Sequence, residues 1–197
     1  MTVRLPPVPP GEWPDEMREA LAALHPPVAR HPFPPRDPNR PKGLNALGMF
    51  AHHPALTRAF NTFNGHILFA TTLSPRQREL LVLRVAARRD CDYEWAQHVV
   101  LGADAGLSDE EISAIAGDPD GHGFAPIDRA FLAAVDELLD DATVSDATWA
   151  TLAAELDAEQ LLDLVFTVGA YDLVAMAFRS FGVQLDDDLV GRKRASP

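Results

Sequence analysis

Residues 79–98 read ELLVLRVAARRDCDYEWAQH, and Cys91 within them is the only cysteine of the chain. The stretch reads as one helix, a short turn and a second helix. At 100° per residue Cys91, Glu94 and His98 stand at i, i+3 and i+7, so they share one face of the second helix. A thiol, a carboxyl and an imidazole on one face form a grouping that chemistry can use. Glu79, on the first helix, lies within about 60° of Arg76, Val82, Leu83 and Ala86, a mainly apolar stripe. A carboxyl there is costly unless it is paired or neutral. Two readings stay open: a surface acid bonded to Arg76, or a partly buried carboxyl with a raised pKa. Arg84 and Arg88 define an opposite, basic face of the same helix.

Outward from this pair the pattern stays helical. Nothing alternates over strand length, which predicts an all-α fold. Helices are expected near 43–52, 54–70, 74–88, 92–105, 108–116, 126–141, 145–155 and 157–180. Ser74-Pro-Arg-Gln77, Ser108-Asp-Glu-Glu111 and Asp157-Ala-Glu-Gln160 read as capping boxes that start three of them. Gly117-Asp-Pro and Gly121-His-Gly mark a loop between two halves. Leu73–Val85 echoes Leu156–Val168 at a fixed offset, with Leu162 standing where Glu79 stands, which suggests a duplicated helical unit.

Residues 1–42 hold 12 of the 17 prolines. They cannot form one long helix and read as an extended arm around one short helix, from about Pro14 to Leu24. Trp13, Leu24, Val28 and Phe33 give the arm apolar anchors, so it is expected to wrap a neighbouring surface. The expected organisation is an arm over 1–42, a single all-α domain over 43–190 and a frayed tail over 191–197.

The 197 residues are 47% apolar with a net charge of −12. That suits a folded acidic protein and argues against nucleic-acid or anionic membrane partners. No charged-then-apolar leader is recognisable at the start, and no run looks long enough to span a membrane, so a cytoplasmic location is expected. One cysteine rules out an intramolecular disulfide and a cysteine-rich zinc site. His52, His53, His66 and His122 show no metal-ligand spacing with acids, and phosphate-loop and dinucleotide fingerprints are missing. No metal and no cofactor are expected.

On single residues, His98 is the candidate proton carrier, with Glu94 one turn away to orient its ring. Glu94 could equally be a first-turn acid that suits the helix dipole. Cys91 sits where helix N-terminal amides lower a thiol pKa, with Arg88 and Arg89 nearby, or is simply a small buried residue.

Leu73-Ser-Pro-Arg-Gln-Arg-Glu-Leu-Leu-Val-Leu-Arg-Val, Cys91-Asp-Tyr-Glu-Trp-Ala-Gln-His98 and Ala105-Gly-Leu-Ser-Asp-Glu-Glu-Ile112 together resemble the carboxymuconolactone decarboxylase family, within the alkylhydroperoxidase D-like superfamily. The resemblance covers about residues 44–185. It implies an alkylhydroperoxidase D-like helical bundle that assembles as a homo-oligomer (dimer, trimer or hexamer) and acts on a small-molecule substrate. In the peroxidase branch, Glu, CxxC and His form a proton relay to a dithiol. Glu79, Cys91 and His98 match that spacing, while Glu94 replaces the second cysteine and excludes an intramolecular disulfide cycle. Tyr93-Glu94-Trp95 through His98 instead resembles the decarboxylase branch, which acts without a cofactor on a small lactone acid. The resemblance implies catalytic roles for Glu79, Glu94, His98 and Cys91, with Arg76 and Tyr93 as substrate contacts and Arg179 as a second cation. The expected function is a cofactor-independent lyase or proton-transfer enzyme on a small organic acid or lactone. The alternatives are a thiol-dependent peroxidase using Cys91 with an external thiol, and a non-catalytic helical oligomer.

Overall fold

The computed structural model describes residues 2–33 and 40–189. The tail over 191–197 and the prolines within 34–39 lie outside the described residues. Among the described residues nine α-helices run in order: α1 Met17–Ala22, α2 Leu44–Phe50, α3 Pro54–Gly65, α4 Pro75–Arg88, α5 Asp92–Asp104, α6 Asp109–Ala116, α7 Pro126–Asp141, α8 Asp146–Ala153 and α9 Ala158–Phe181. No strand occurs among the described residues. A short π-helical turn, His66–Ala70, ends the helix that the sequence places over 54–70. The caps act where the sequence places them. Ser74 and Ser108 both accept from the amide three residues on, while Gln77 and Glu111 bond back to their backbone amides. Asp157 and Gln160 exchange the same pair of bonds before α9.

The described residues divide into two compact units, one of residues up to 71 together with 177–189, the other of residues 72–176. In the first, the proline-rich arm is bonded to helices by its backbone. Val8 N–H donates to Gly48 O, Arg4 N–H to Phe181 O, and Arg30 N–H to Phe69 O. Trp13 Nε1 turns back onto Val8 O at 2.8 Å. Met17, Ala20 and Ala51 form a small core under Val8, Trp13 and Leu21. Gly48 permits this approach, because a Cβ there would stand 2.6 Å from Val8 O. The anchors expected of the arm therefore serve it in part: Trp13 is used, whereas Val28 is 75% exposed.

The second unit is built on α4. Every residue from Arg78 to Ala87 is buried, packed among α5, α6 and α7. Leu80, Leu83, Ala86 and Ala87 meet Trp95 of α5, Leu107, Ile112 and Ile115 around α6, Phe124, and Leu132 of α7. The basic face that Arg84 and Arg88 define on this helix is turned toward acids of α7. Arg84 forks onto Asp136 of α7 at 2.8 and 2.7 Å, and Arg88 bonds Asp136 and Asp140. Carboxylates from α7 neutralise the guanidiniums, which lets a charged face be buried. The loop around Gly117–Gly123 lies within this unit, between α6 and α7, and not between two halves.

Helix α9 is joined to the flanks of α4 at two points. Asp163 accepts from the Thr72 amide and hydroxyl at 2.6 and 2.7 Å, just before α4. Asp172 accepts from Arg89 Nε at 2.6 Å, just after it. The two helices thus run in the same direction, and they are also the two segments of the internal echo. By length and mean hydropathy (1.7) α9 could cross a membrane, contrary to the expectation that no run is long enough; 39% of its most apolar window is buried inside the protein.

Candidate active site

The second unit brings Glu79, Cys91, Glu94 and His98 together, all of them buried. Glu79 comes from the middle of α4 and is fully enclosed. Its Oε1 accepts from Arg78 Nε at 2.9 Å, and its Oε2 lies 2.7 Å from His98 Nδ1. Burial alone would raise this carboxyl; His98 and then Arg78 outweigh it and hold it below its usual range. An ionised carboxylate can only accept, so His98 Nδ1–H donates to it and Nε2 is left to exchange protons. The ring is oriented by Glu79 across two helices, not by Glu94 one turn away as the sequence spacing suggested. The Glu79 reading with Arg76 is corrected in the same way, since its cation is Arg78.

Glu94 behaves oppositely. It is 2% exposed, and neither carboxyl oxygen has a hydrogen bond of good geometry. Burial pushes it well above the usual carboxylate range; the neighbouring Cys91 thiol works against that shift, and the Asp172 charge adds to it. So the raised carboxyl of this site is Glu94 rather than Glu79. Cys91 is the N-cap residue of α5, a buried thiol outside any disulfide. Helix N-terminal amides favour the thiolate at such a position. The grouping is therefore an ionised carboxylate–imidazole pair, a neutral carboxylic acid and a thiol. Two carboxyls of one type are driven apart by their surroundings, the arrangement that separates an acid from a base.

Two predicted substrate contacts are placed elsewhere. Arg76 forks onto Glu111 of α6 and reaches Asp128 of α7 at 2.8 Å, which commits its charge to holding helices together. Tyr93 is buried, but it lies 100° around α5 from Glu94. The phenol that meets His98 is Tyr171 of α9, ring edge to ring face with centroids 5.0 Å apart. Burial and the Glu79 charge raise the Tyr171 pKa, so its hydroxyl stays neutral. The sequence gives Tyr171 and Asp172 no role, because they come from a helix more than 60 residues away; the signal present was a polar pair, Tyr171-Asp172, within an apolar stretch of α9. Among the described residues no three His, Cys, Asp or Glu side chains are placed to hold a metal ion.

Residues 54–137 match the sequence profile of the carboxymuconolactone decarboxylase family. The match takes in less than half of the chain. It carries Glu79, Cys91, Glu94 and His98, whereas Thr167, Tyr171 and Asp172 lie beyond it. The fold is shared over almost the whole chain with an alkylhydroperoxidase AhpD core, an uncharacterized peroxidase-related protein from Ralstonia eutropha JMP134. There the TM-score is 0.76 at 18% identity, covering 99% of this chain and 98% of that one. The debrominase Bmp8 superposes with a TM-score of 0.71 at 13% identity, over 98% and 97% of the two chains. Its cysteine-to-alanine variant in complex with 2,3,4-tribromopyrrole gives 0.72 at 13%, over 98% and 96%. At these identities the likeness is one of fold. No curated protein matches the sequence significantly.

Proposed function

We propose that this protein is a thiol-dependent reductase of small neutral electrophiles, foremost hydroperoxides, with Cys91 as nucleophile. The observation that carries the reading is Glu94, a buried and neutral carboxylic acid beside the Cys91 thiol. Thiol chemistry on a peroxide needs a base to take the thiol proton and an acid to protonate the departing oxygen. His98, two turns along α5 and held by Glu79, receives the proton by way of Glu94, one turn from each, which passes its own proton on and takes that of the thiol. The thiolate then attacks the terminal peroxide oxygen and the O–O bond breaks. Glu94 gives its proton to the leaving alkoxide, and Cys91 becomes a sulfenic acid. An external thiol condenses with the sulfenic acid and expels water, giving a mixed disulfide. A second external thiol frees Cys91 as it forms the external disulfide. Glu94 occupies the position of a second cysteine, so reduction comes from outside the chain. The peroxidase-related and debrominase names among proteins of this fold support this reading, the latter crystallised as a cysteine variant with its brominated pyrrole.

The second reading is a cofactor-independent lyase or proton-transfer enzyme. It is favoured by the same separation of an ionised Glu79 from a neutral Glu94, and by the family's name. A carboxylate substrate fits this site poorly, because Arg76, Arg78 and Arg89 each already pair with a carboxylate. Hydroperoxide consumption driven by an added dithiol tests the choice. Cys91→Ser should abolish it, and His98→Gln should lower it by about two to four orders of magnitude. CO2 release from a lactone acid that survives Cys91→Ser would favour the second reading instead.

A further inference from the structure

Among the described residues, the buried side-chain nitrogens and oxygens without a hydrogen-bond partner are Glu94 Oε1 and Oε2, Gln97 Nε2 and Thr167 Oγ1. All belong to α5 or α9, the helices that carry Cys91, His98 and Tyr171. Buried polar groups are nearly always paired, since each one left unpaired has lost its water for nothing. Glu94 has a role as the neutral acid; Thr167 has none in the chemistry above. It is completely buried, and its hydroxyl does not take even the carbonyl one turn back, the usual recourse of a helical threonine.

The fold says where this hydroxyl lies. Asp163 ties α9 to Thr72 before α4, and Asp172 ties it to Arg89 after α4. Thr167 falls between these ties along α9. It also stands one turn before Tyr171, on the same face of α9, and Tyr171 touches the His98 ring. Thr167 is thus an unsatisfied hydroxyl on the face of α9 that carries Tyr171, the phenol against the His98 ring.

We propose that Thr167 is a substrate-binding residue: its hydroxyl supplies the hydrogen bond that holds a hydroperoxide oxygen in the site. The proposal rests on the thiol-dependent reading. A hydroxyl both donates and accepts, as a hydroperoxide does, and a neutral pair of this kind needs no free cation. The empty hydroxyl is a cost the protein carries without substrate and recovers when substrate binds.

That cost gives a signature a structural threonine would not show. Thr167→Val keeps the shape and removes the unpaired oxygen. In the full-length protein, the second-order rate of Cys91 oxidation by hydrogen peroxide and by tert-butyl hydroperoxide should fall about tenfold, the worth of one hydrogen bond. The Tm without peroxide should stay level or rise. Thr167→Ser should keep the rate within about threefold, since it retains the hydroxyl. An unchanged rate in Thr167→Val, or a slower rate accompanied by a lower Tm, overturns the proposal. If Cys91 of the unmodified protein is itself inert to both peroxides, the thiol-dependent reading fails, and this proposal with it. If it reacts and Thr167→Val reacts equally, only the Thr167 assignment fails.

Discussion

Glu79 and Glu94 are chemically the same side chain, both enclosed, and their surroundings send them in opposite directions. Glu79 has an imidazole and a guanidinium to bond; Glu94 has a thiol and the more distant negative charge of Asp172. The consequences for pH are opposite too. A carboxyl lowered in the folded state adds stability that is present above its unfolded pKa and is lost as pH falls through the folded value. Glu94 is raised, so its unfolded form ionises first as pH rises. The folded protein therefore loses stability between the ordinary value of 4.5 and the folded one, by up to about 1.4 kcal/mol per pH unit. Glu94→Gln removes that loss. Its Tm relative to the unmodified protein should climb as pH rises above 4.5; a difference that does not change with pH contradicts a neutral Glu94. Glu79→Gln takes an ionised partner from both Arg78 and His98 and should cost about 3 kcal/mol, read by urea unfolding. At this scale the sequence made the shared face of Cys91, Glu94 and His98 legible, because helical pitch alone brings i, i+3 and i+7 together. It could not say which carboxylate meets the imidazole, since the bond between Glu79 and His98 depends on how two helices cross.

Helices were the most legible level. Capping boxes, proline at the first helical position and uninterrupted apolar periodicity mark starts and ends that the structure reproduces to within a few residues. Removing one such signal should show. Ser74→Ala deletes the cap of the α4 amides and should lower stability by about 1 kcal/mol in chemical denaturation, while Glu79 keeps its partners. What patterning missed was the setting of α4. Arg84 and Arg88 look like a wet face when the helix is viewed alone, and only α7, with Asp136 and Asp140, explains their burial. For the same reason Arg76 looked available for substrate until Glu111 and Asp128 were seen around it. A charge on a helix is free or spent according to neighbours that lie tens of residues away.

For the whole molecule, α9 carries an exposed apolar stripe. Leu162, Val165, Phe166, Leu173 and Met176 are 37–60% exposed, and they fall within one 100°-wide stripe of the helix. Gly169 lies midway between Leu162 and Met176, with open space where a Cβ would be. A stripe of this kind amounts to several hundred Å2, at the upper end of what monomers expose. We read it as the self-association face of the homo-oligomer that the family resemblance implies. Two copies laid antiparallel about Gly169 would place Leu162 of each against Met176 of the other. Leu173→Glu should then lower the mass measured by light scattering to that of one chain without loss of helical signal; an unchanged mass would remove α9 from the interface. The central claim, however, concerns Cys91. Intact-mass analysis after one equivalent of hydrogen peroxide, followed by peptide mapping and thiol treatment, tests it most directly. The account predicts one added oxygen, located on Cys91 and removed by a small thiol. A Cys91 that remains an unmodified thiol while peroxide is left unconsumed would contradict it.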